Sequence, residues 1–233
     1  MFDHYLYVSS TTNSFTDHFK YAAEKYISKF QLTSRSLVID IGSNDGIFLK
    51  PLKDKGIQVI GIDPAHNIVE IALDQKIETI NSYFTSSVAE EICKKFGYAD
   101  LVTASNVFAH ADNIDEIVHG VFKLLKKNGS FVIEVQYLLD MIHNLTFDNI
   151  YHEHVNYWSV TSLNSFFTSL GYAIYKVEHI NTHGGSIRVY ICKTPNIIDG
   201  SLSKFLKEEE NFGLKDYKTY IKFSKRVQHA RDS

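Results

Sequence analysis

Ser36-Leu-Val-Ile-Asp-Ile-Gly-Ser-Asn-Asp-Gly46 is a short apolar, β-branched run that passes directly into glycine punctuation. A strand that ends in such a loop and then enters a helix brings backbone N–H groups close to a bound nucleotide. Gly42 permits the tight turn, and Gly46 lets the following helix pack near the strand. Asn44 stands where a middle glycine would complete a G-x-G-x-G pattern, and asparagine tolerates the left-handed conformation such a turn needs. The pyrophosphate fingerprint G-x-G-x-x-G is not met, so the loop alone is a weak signal.

Working outward, the chain alternates. Gln58–Ile62 is the next strand, and Asp63 stands just past it, where a carboxylate can accept hydrogen bonds from both ribose hydroxyls. The competing reading of Asp63-Pro64 is a plain turn. Strand, loop, helix, strand and acid in register favour the binding role. Helices are expected near Phe48–Lys55, Ile68–Asp74, Ser86–Phe96 and Ile114–Leu125, and strands at Ile77–Ile80, Leu101–Ser105 and Ser130–Val135. Such βαβα alternation implies a parallel sheet covered by helices on both faces. Upstream, Phe15, Phe19, Ala22, Ala23, Tyr26, Ile27 and Phe30 recur at helical spacing behind Ser14, a candidate N-cap. Downstream, Ser159 can cap a helix running to Leu170 and stopped by Gly171. Tyr172–His179 and Ser186–Cys192 then form two strands joined through Asn181-Thr-His-Gly-Gly185. A closing antiparallel hairpin of this kind separates methyltransferase sheets from dinucleotide dehydrogenase sheets. Residues 202–228 are charged and helix-prone, and their polar run Lys207–Glu210 is expected to be a solvated face.

Composition narrows the class. With 233 residues, 44% hydrophobic and 22% charged, the chain suits one globular α/β domain with additions. Residues 1–35 are an N-terminal segment and helix, 36–195 a cofactor-binding domain, and 196–233 a helical extension. Lys and Arg number 24 against 27 Asp and Glu, so no general attraction to nucleic acid or acidic membranes is expected. Cys93 and Cys192 form no CxxC pair, which argues against a disulfide scaffold or a cysteine zinc site. No apolar run reaches membrane-span length, and a cytoplasmic protein, monomer or homodimer, is the expectation.

The loop spelling and the residues downstream of it point to S-adenosylmethionine rather than a nicotinamide cofactor. Asp40, at the end of the first strand, can reach the methionine ammonium. Asn106 can line the methyl-transfer cleft, and Tyr83 or Phe84 can stack on adenine. With Gly42, Ser43, Asn44, Gly46, Asp63 and Pro64 these residues make up the expected cofactor set.

Phe147-Asp-Asn-Ile-Tyr-His-Glu-His-Val-Asn-Tyr157 is the second informative stretch. Four titratable residues in a row are hard to place in a core, because each would need a buried partner. If extended, Tyr151 and Glu153 face one way and His152 and His154 the other. His110, after the fourth strand, lies at the ligand-binding end of such sheets. A solvated loop is one reading. A metal site on His152, His154 and His110 is a second, although no further ligand falls at metal-motif spacing. Acid–base catalysis by a carboxylate-oriented histidine is the third and the preferred one, with no metal.

The chain resembles the S-adenosylmethionine-dependent C-methyltransferases that act on nucleotide-linked keto-deoxysugars. The matching stretches are Tyr5-Leu-Tyr-Val-Ser-Ser10, Asp40–Gly46, Asn106-Val-Phe-Ala-His110, Glu134-Val-Gln-Tyr137, Phe147–His154 and His183-Gly-Gly-Ser-Ile-Arg188. The resemblance implies a Rossmann-like class I methyltransferase: a mostly parallel seven-stranded sheet, helices on both faces, and a C-terminal antiparallel hairpin. It also implies that a base removes the proton α to the sugar's 4-keto group and that the enolate attacks the sulfonium methyl, leaving S-adenosylhomocysteine. By the same resemblance His154 is the base, Glu153 sets its orientation or stabilises its charged form, and Tyr151 hydrogen-bonds the enolate oxygen. His110 and Tyr5 hold the sugar, and His183 and Arg188 have structural or substrate-side roles.

Members of that family also carry an N-terminal zinc-binding domain and a C-terminal α/β domain, and neither is expected here. This leaves an alternative open: O- or N-methylation of a smaller sugar or phosphorylated metabolite in surface-polysaccharide synthesis. A non-catalytic S-adenosylmethionine-binding partner protein is a third possibility, disfavoured because such a module needs none of Tyr151, Glu153, His154 or His110.

Overall fold

A computed structural model describes residues 12–195 and 198–232. Seven strands form one sheet in the order β3-β2-β1-β4-β5-β7-β6. They are β1 (Leu37–Ile41), β2 (Gln58–Asp63), β3 (Thr79–Asn81), β4 (Ala99–Ser105), β5 (Leu125–Gln136), β6 (Ala173–Ile180) and β7 (Ser186–Cys192). β1 lies parallel between β2 and β4, β3 adds in parallel beyond β2, and β6 and β7 pair antiparallel. All five residues of β1 are buried, as expected of a central parallel strand covered on both faces.

The described residues fall into two compact units. One holds the chain up to Ser105 together with Asn113–Phe131; the other holds Asn106–Asp112 and the chain from Val132 onward. In the first, Val38, Ile39, Ile60, Leu101 and Val102 are fully enclosed among helices α1 (Asn13–Phe30), α2 (Leu49–Lys53), α3 (His66–Asp74), α4 (Ser86–Phe96) and α5 (Ile114–Leu124). In the second, Phe108 stacks on Phe167 with ring centroids 6.4 Å apart, beside the buried Val160, Leu163, Ile187 and Val189. Its helices are α6 (Leu138–Asn144), α7 (Val160–Ser169), α8 (Ser201–Phe212) and α9 (Tyr217–Asp232).

Ser159 caps α7 in a reciprocal capping box with Ser162, and Gly171 takes up the left-handed turn after the helix, as the sequence predicts. Ser14 is not a cap. The Thr12 carbonyl already accepts the Thr16 N–H, so α1 begins at Asn13 and Ser14 lies inside its first turn. α6 was not expected, because seven residues are too few to show a 3.6-residue period. The segment 202–228 is two helices broken at Gly213, which sits at φ 77°. Its polar run is not wholly solvated: Glu209 is 1% exposed. No helix among the described residues is long and apolar enough to cross a membrane.

Candidate active site

In the first unit the glycine loop is shaped by three left-handed residues, Gly42, Asn44 and Gly46, at φ 68°, 48° and 81°. A Cβ on Gly46 would collide with Cδ1 of Ile77. Asp63, the last residue of β2, holds the loop: its Oδ2 accepts from the Asn44 N–H and its Oδ1 from the Ala65 N–H, each at 2.9 Å. One lone pair on each oxygen is left for an incoming hydroxyl. Asn81 Nδ2 donates to the Asp63 and Pro64 carbonyls and fixes the turn behind it. Asp63 is therefore both a loop clamp and a carboxylate able to accept more.

Asp40 is buried in β1, where Thr103 Oγ1 donates to it at 2.6 Å. Burial pushes its carboxyl up to about 7; the Thr103 hydrogen bond opposes the rise and the Asp63 charge adds to it. Burial likewise raises Asp63. Two buried carboxylates held this way suit a cationic ligand. The Ser43 hydroxyl is buried with no hydrogen-bond partner among the described residues. Of the two candidate aromatics, Phe84 is buried, its ring 3.0 Å from where a Cβ on Gly120 would stand, so it packs in the core; Tyr83 is half exposed.

The second unit gathers most of the predicted catalytic residues. Asn106, at φ 59°, donates its N–H to the Glu134 carbonyl. The loop 145–159 runs between α6 and α7 and is not extended. It turns back at residues 151–153, so that Tyr151 and His154, predicted to face opposite ways, meet: Tyr151 Oη lies 3.1 Å from His154 Nε2. His154 Nδ1 is 2.9 Å from the Asn149 carbonyl. A carbonyl only accepts, so Nδ1 carries the proton, and Nε2 presents a lone pair to the Tyr151 hydroxyl. The Asn149 carbonyl therefore sets the His154 tautomer and holds its ring, the orienting half of the role expected of Glu153.

Glu153 acts elsewhere. Its carboxylate is 3.9 Å from Nε2 of the exposed His152, and its backbone carbonyl accepts from His110 Nδ1 at 2.9 Å. After burial, the Glu153 charge is the largest influence raising Tyr151, so it keeps that phenol protonated. His110 and His154 lie with ring centroids 4.9 Å apart. Burial, the leading cause, holds His110 below its ordinary value, so the pair need not carry two charges. The Ala109 carbonyl accepts from the Val155 and Asn156 N–H groups, while Phe108 accepts from the Trp158 indole at 3.1 Å. A pocket opens beside this loop among Ala109, Gln136, Leu138, Met141, Asn156, Tyr157 and Trp158. Tyr5 lies outside the described residues.

The two remaining motifs meet in the same unit. Arg188 on β7 pairs with Glu134 on β5 at 2.7 Å, their side chains 1% and 4% exposed. His183, Gly184 and Gly185 turn with positive φ. The Gly185 carbonyl accepts from Tyr137 N–H, and a Cβ on Gly185 would strike the Asp140 carboxylate. Arg188 thus ties the hairpin to the sheet, and the glycines let the turn lie against α6. Sequence reasoning missed Asn149, whose role belongs to a carbonyl every residue has, and Glu209, which the charged run Lys207–Glu210 disguised.

A mostly parallel sheet with a terminal antiparallel hairpin and an acidic residue behind the first glycine loop defines a Rossmann-like methyltransferase. Residues 15–177 match the family described as "Methyltransferase domain", and 181–233 match "C-methyltransferase C-terminal domain". The chain belongs to the methyltransferase domain family. The second match takes in β7, α8 and α9. The chain is 36% identical to C-methyltransferase NovU of Streptomyces niveus over 99% of its own length and 56% of NovU, so it spans little more than half of that relative. A ubiquinone biosynthesis O-methyltransferase of Rattus norvegicus is 30% identical over 41% of the chain and 29% of that protein. Among solved structures, a SAM-dependent methyltransferase from Archaeoglobus fulgidus superposes with TM-score 0.62 at 19% identity, covering 76% of this chain and 93% of that one. Magnesium protoporphyrin IX methyltransferase from Synechocystis PCC 6803, solved with SAH bound, gives TM-score 0.60 at 13% identity over 77% and 83%.

Proposed function

We propose that this chain moves the methyl group of S-adenosylmethionine to a carbon beside the ketone of a nucleotide-linked keto-sugar, with His154 as general base. The observation that carries the reading is the His154 relay: Nδ1 donates to Asn149, and Nε2 meets the Tyr151 hydroxyl. It supplies a lone pair able to take a proton and, beside it, a hydroxyl able to donate to a carbonyl oxygen, which supports proton removal α to a ketone. The α C–H bond breaks, its proton passes to Nε2, and its electron pair moves onto the ketone oxygen. Tyr151 then donates to that oxygen as charge develops, an interaction strongest in the transition state. The carbon forms its new bond to the methyl group while the sulfur–methyl bond breaks. Bound S-adenosylmethionine supplies the electrophilic methyl; its ammonium suits the buried Asp40, and its ribose hydroxyls suit the unused lone pairs of Asp63.

The C-methyl acceptor is supported by the name of the relative that aligns along nearly the whole chain; the O-methyltransferase relatives align over less than half of it. The keto-sugar rests on the motif resemblance. Residues 36–195 as the cofactor-binding domain and 196–233 as its helical extension belong to the same proposal, as do a small-molecule partner and a cytoplasmic setting.

Deuterium exchange tests it. With S-adenosylhomocysteine bound, the chain should wash the α-proton of a 4-keto-sugar nucleotide into solvent, and a His154→Ala variant should lose about 10²–10⁴-fold of that rate. Methyl transfer without washout would overturn C-methylation in favour of the O-methyl alternative. Tight cofactor binding with neither activity would point to a binding protein.

A further inference from the structure

The loop that carries Tyr151 and His154 hangs between the C-terminus of α6 and the N-terminus of α7. A helix end leaves N–H or C=O groups that its own backbone cannot satisfy. The C-terminal helices reach both ends. On α8, the buried Glu209 accepts from the N–H groups of Val160 and Thr161, at 2.5 and 2.8 Å. With Ser159 accepting from Ser162, the first three N–H groups of α7 are taken. A carboxylate there also opposes the positive end of the helix dipole. On α9, Arg226 donates through Nη1 to the Ile142 carbonyl and through Nη2 to that of His143, each at 2.9 Å. These are last-turn carbonyls of α6, and a planar guanidinium fork suits two neighbouring acceptors. Phe205, also on α8, packs its ring 5.9 Å from that of Tyr137, the residue that opens α6.

From either end the restraint passes directly to the catalytic loop. The Leu138 N–H donates to the Trp158 carbonyl, next to the residue that caps α7. Leu145, at φ 59°, turns the chain out of α6, and the single 3₁₀ turn at Phe147–Asn149 delivers the carbonyl that holds His154. We infer that α8 and α9 form a clamp that positions the His154 loop, with Glu209 and Arg226 as positioning residues outside the reacting groups. The catalytic loop lies in the stretch matching the methyltransferase domain, and the clamp lies in the stretch matching the C-terminal domain. The C-terminal helices thus complete the active site without touching substrate. The inference rests on the reading of His154 as the base.

Two variants test it in the chain as it stands. Glu209→Gln keeps the shape but turns one acceptor into a donor facing an N–H. Arg226→Gln removes the fork from α9, a helix with no buried residue, and so leaves the core alone. In both, amide hydrogen exchange across residues 149–156 should rise about 10-fold while amides of β1 and β2 keep their protection. kcat should fall about 10-fold with KM for S-adenosylmethionine within about 2-fold, because a misplaced base costs turnover rather than cofactor binding. Arg226→Lys should rescue poorly, since a point charge cannot bridge two carbonyls. Unchanged exchange at residues 149–156 in Arg226→Gln overturns the clamp, even where Glu209→Gln fails to fold. Faster exchange with unchanged kcat overturns its bearing on catalysis. Failure of the base reading appears separately, in the parent chain, as absence of α-proton washout.

Discussion

The glycine loop and the histidine loop solve the same problem, holding polar groups in place, by opposite means. The glycine loop is shaped by residue types that take left-handed backbone cheaply, and its main tether, Asp63, is the next strand's last residue. The histidine loop has few such devices. Asn149 orients His154 through a carbonyl, Ala109 anchors Val155 and Asn156 through another, and Glu209 and Arg226 secure the flanking helices from far along the chain. A loop built from its own residues withstands changes elsewhere. One held by distant partners is open to control by them, and its position depends on segments far downstream.

The strongest break in the comparison lies in the unit that carries the histidine loop. Arg188→Met should destabilise the chain by about 3–5 kcal/mol, because Glu134 would remain buried as an uncompensated charge. The double change Glu134→Leu with Arg188→Met should recover most of that loss, since an apolar pair of similar volume can replace a buried ion pair. Thermal and urea unfolding of the three proteins measure this. A double variant no better than the single one would mean that the pair sets the hairpin's position rather than merely satisfying charge.

The glycine loop carries a pH signature in the acidic to neutral range. In the folded chain Asp40 is raised from its ordinary value to about 7. Between pH 4 and 7 the folded state therefore holds a proton that the unfolded state has released. Stability of the free chain is fullest at the acidic end of that window and falls as pH rises through about 7. Asp40→Asn should remove the slope. A cation placed against Asp40 would pull its pKa down, so S-adenosylmethionine binding at pH 6.5 should release up to about one proton. Calorimetric titrations in buffers of different ionisation enthalpy read that number directly. Zero release would place the ammonium elsewhere.

Gly46→Ala attacks the glycine loop itself. Positive φ for alanine costs about 1–2 kcal/mol, and the methyl would press on Ile77. S-adenosylmethionine affinity should fall about 10-fold or more, while α-proton washout at saturating S-adenosylhomocysteine stays within about 3-fold, because the histidine loop has its own supports. Washout collapsing together with affinity would show that the two loops are not independently held.

Legibility in the sequence divides along the same line. β1, the glycine loop, α4, β7 and the Ser159 cap could be placed within a residue or so, because each depends on contiguous residues: a β-branched run, a positive-φ glycine, a capping box. The proposed acid–base residues stand out in the sequence as a dense titratable string, but their mutual geometry does not. The prediction that Tyr151 and His154 diverge assumes an extended chain, whereas the His154 N–H closes a turn onto the Tyr151 carbonyl, and the Ala109 and Asn149 carbonyls that hold the residues after it are announced by no side-chain pattern. The sequence presents Glu209 as part of a solvated run, because burial of a carboxylate depends on what it meets, here two N–H groups of α7. Non-local support leaves no periodicity to read.

Ser159→Ala is the gentlest way to sharpen the contrast. The Ser159 side chain accepts from the Ser162 N–H, and its loss from a helix N-terminus costs about 1 kcal/mol. If α7 were held by its own cap alone, that change would loosen the start of the helix and the histidine loop with it. Glu209, however, accepts from the two preceding N–H groups. Ser159→Ala by itself should therefore lower the unfolding midpoint by only a few degrees and leave kcat within about 2-fold. Combined with Glu209→Gln, it should cost more than the sum of the single changes, because both act on the same three N–H groups. Strict additivity would show that the cap and the carboxylate restrain different motions, and that α8 steadies the helix without steering the loop.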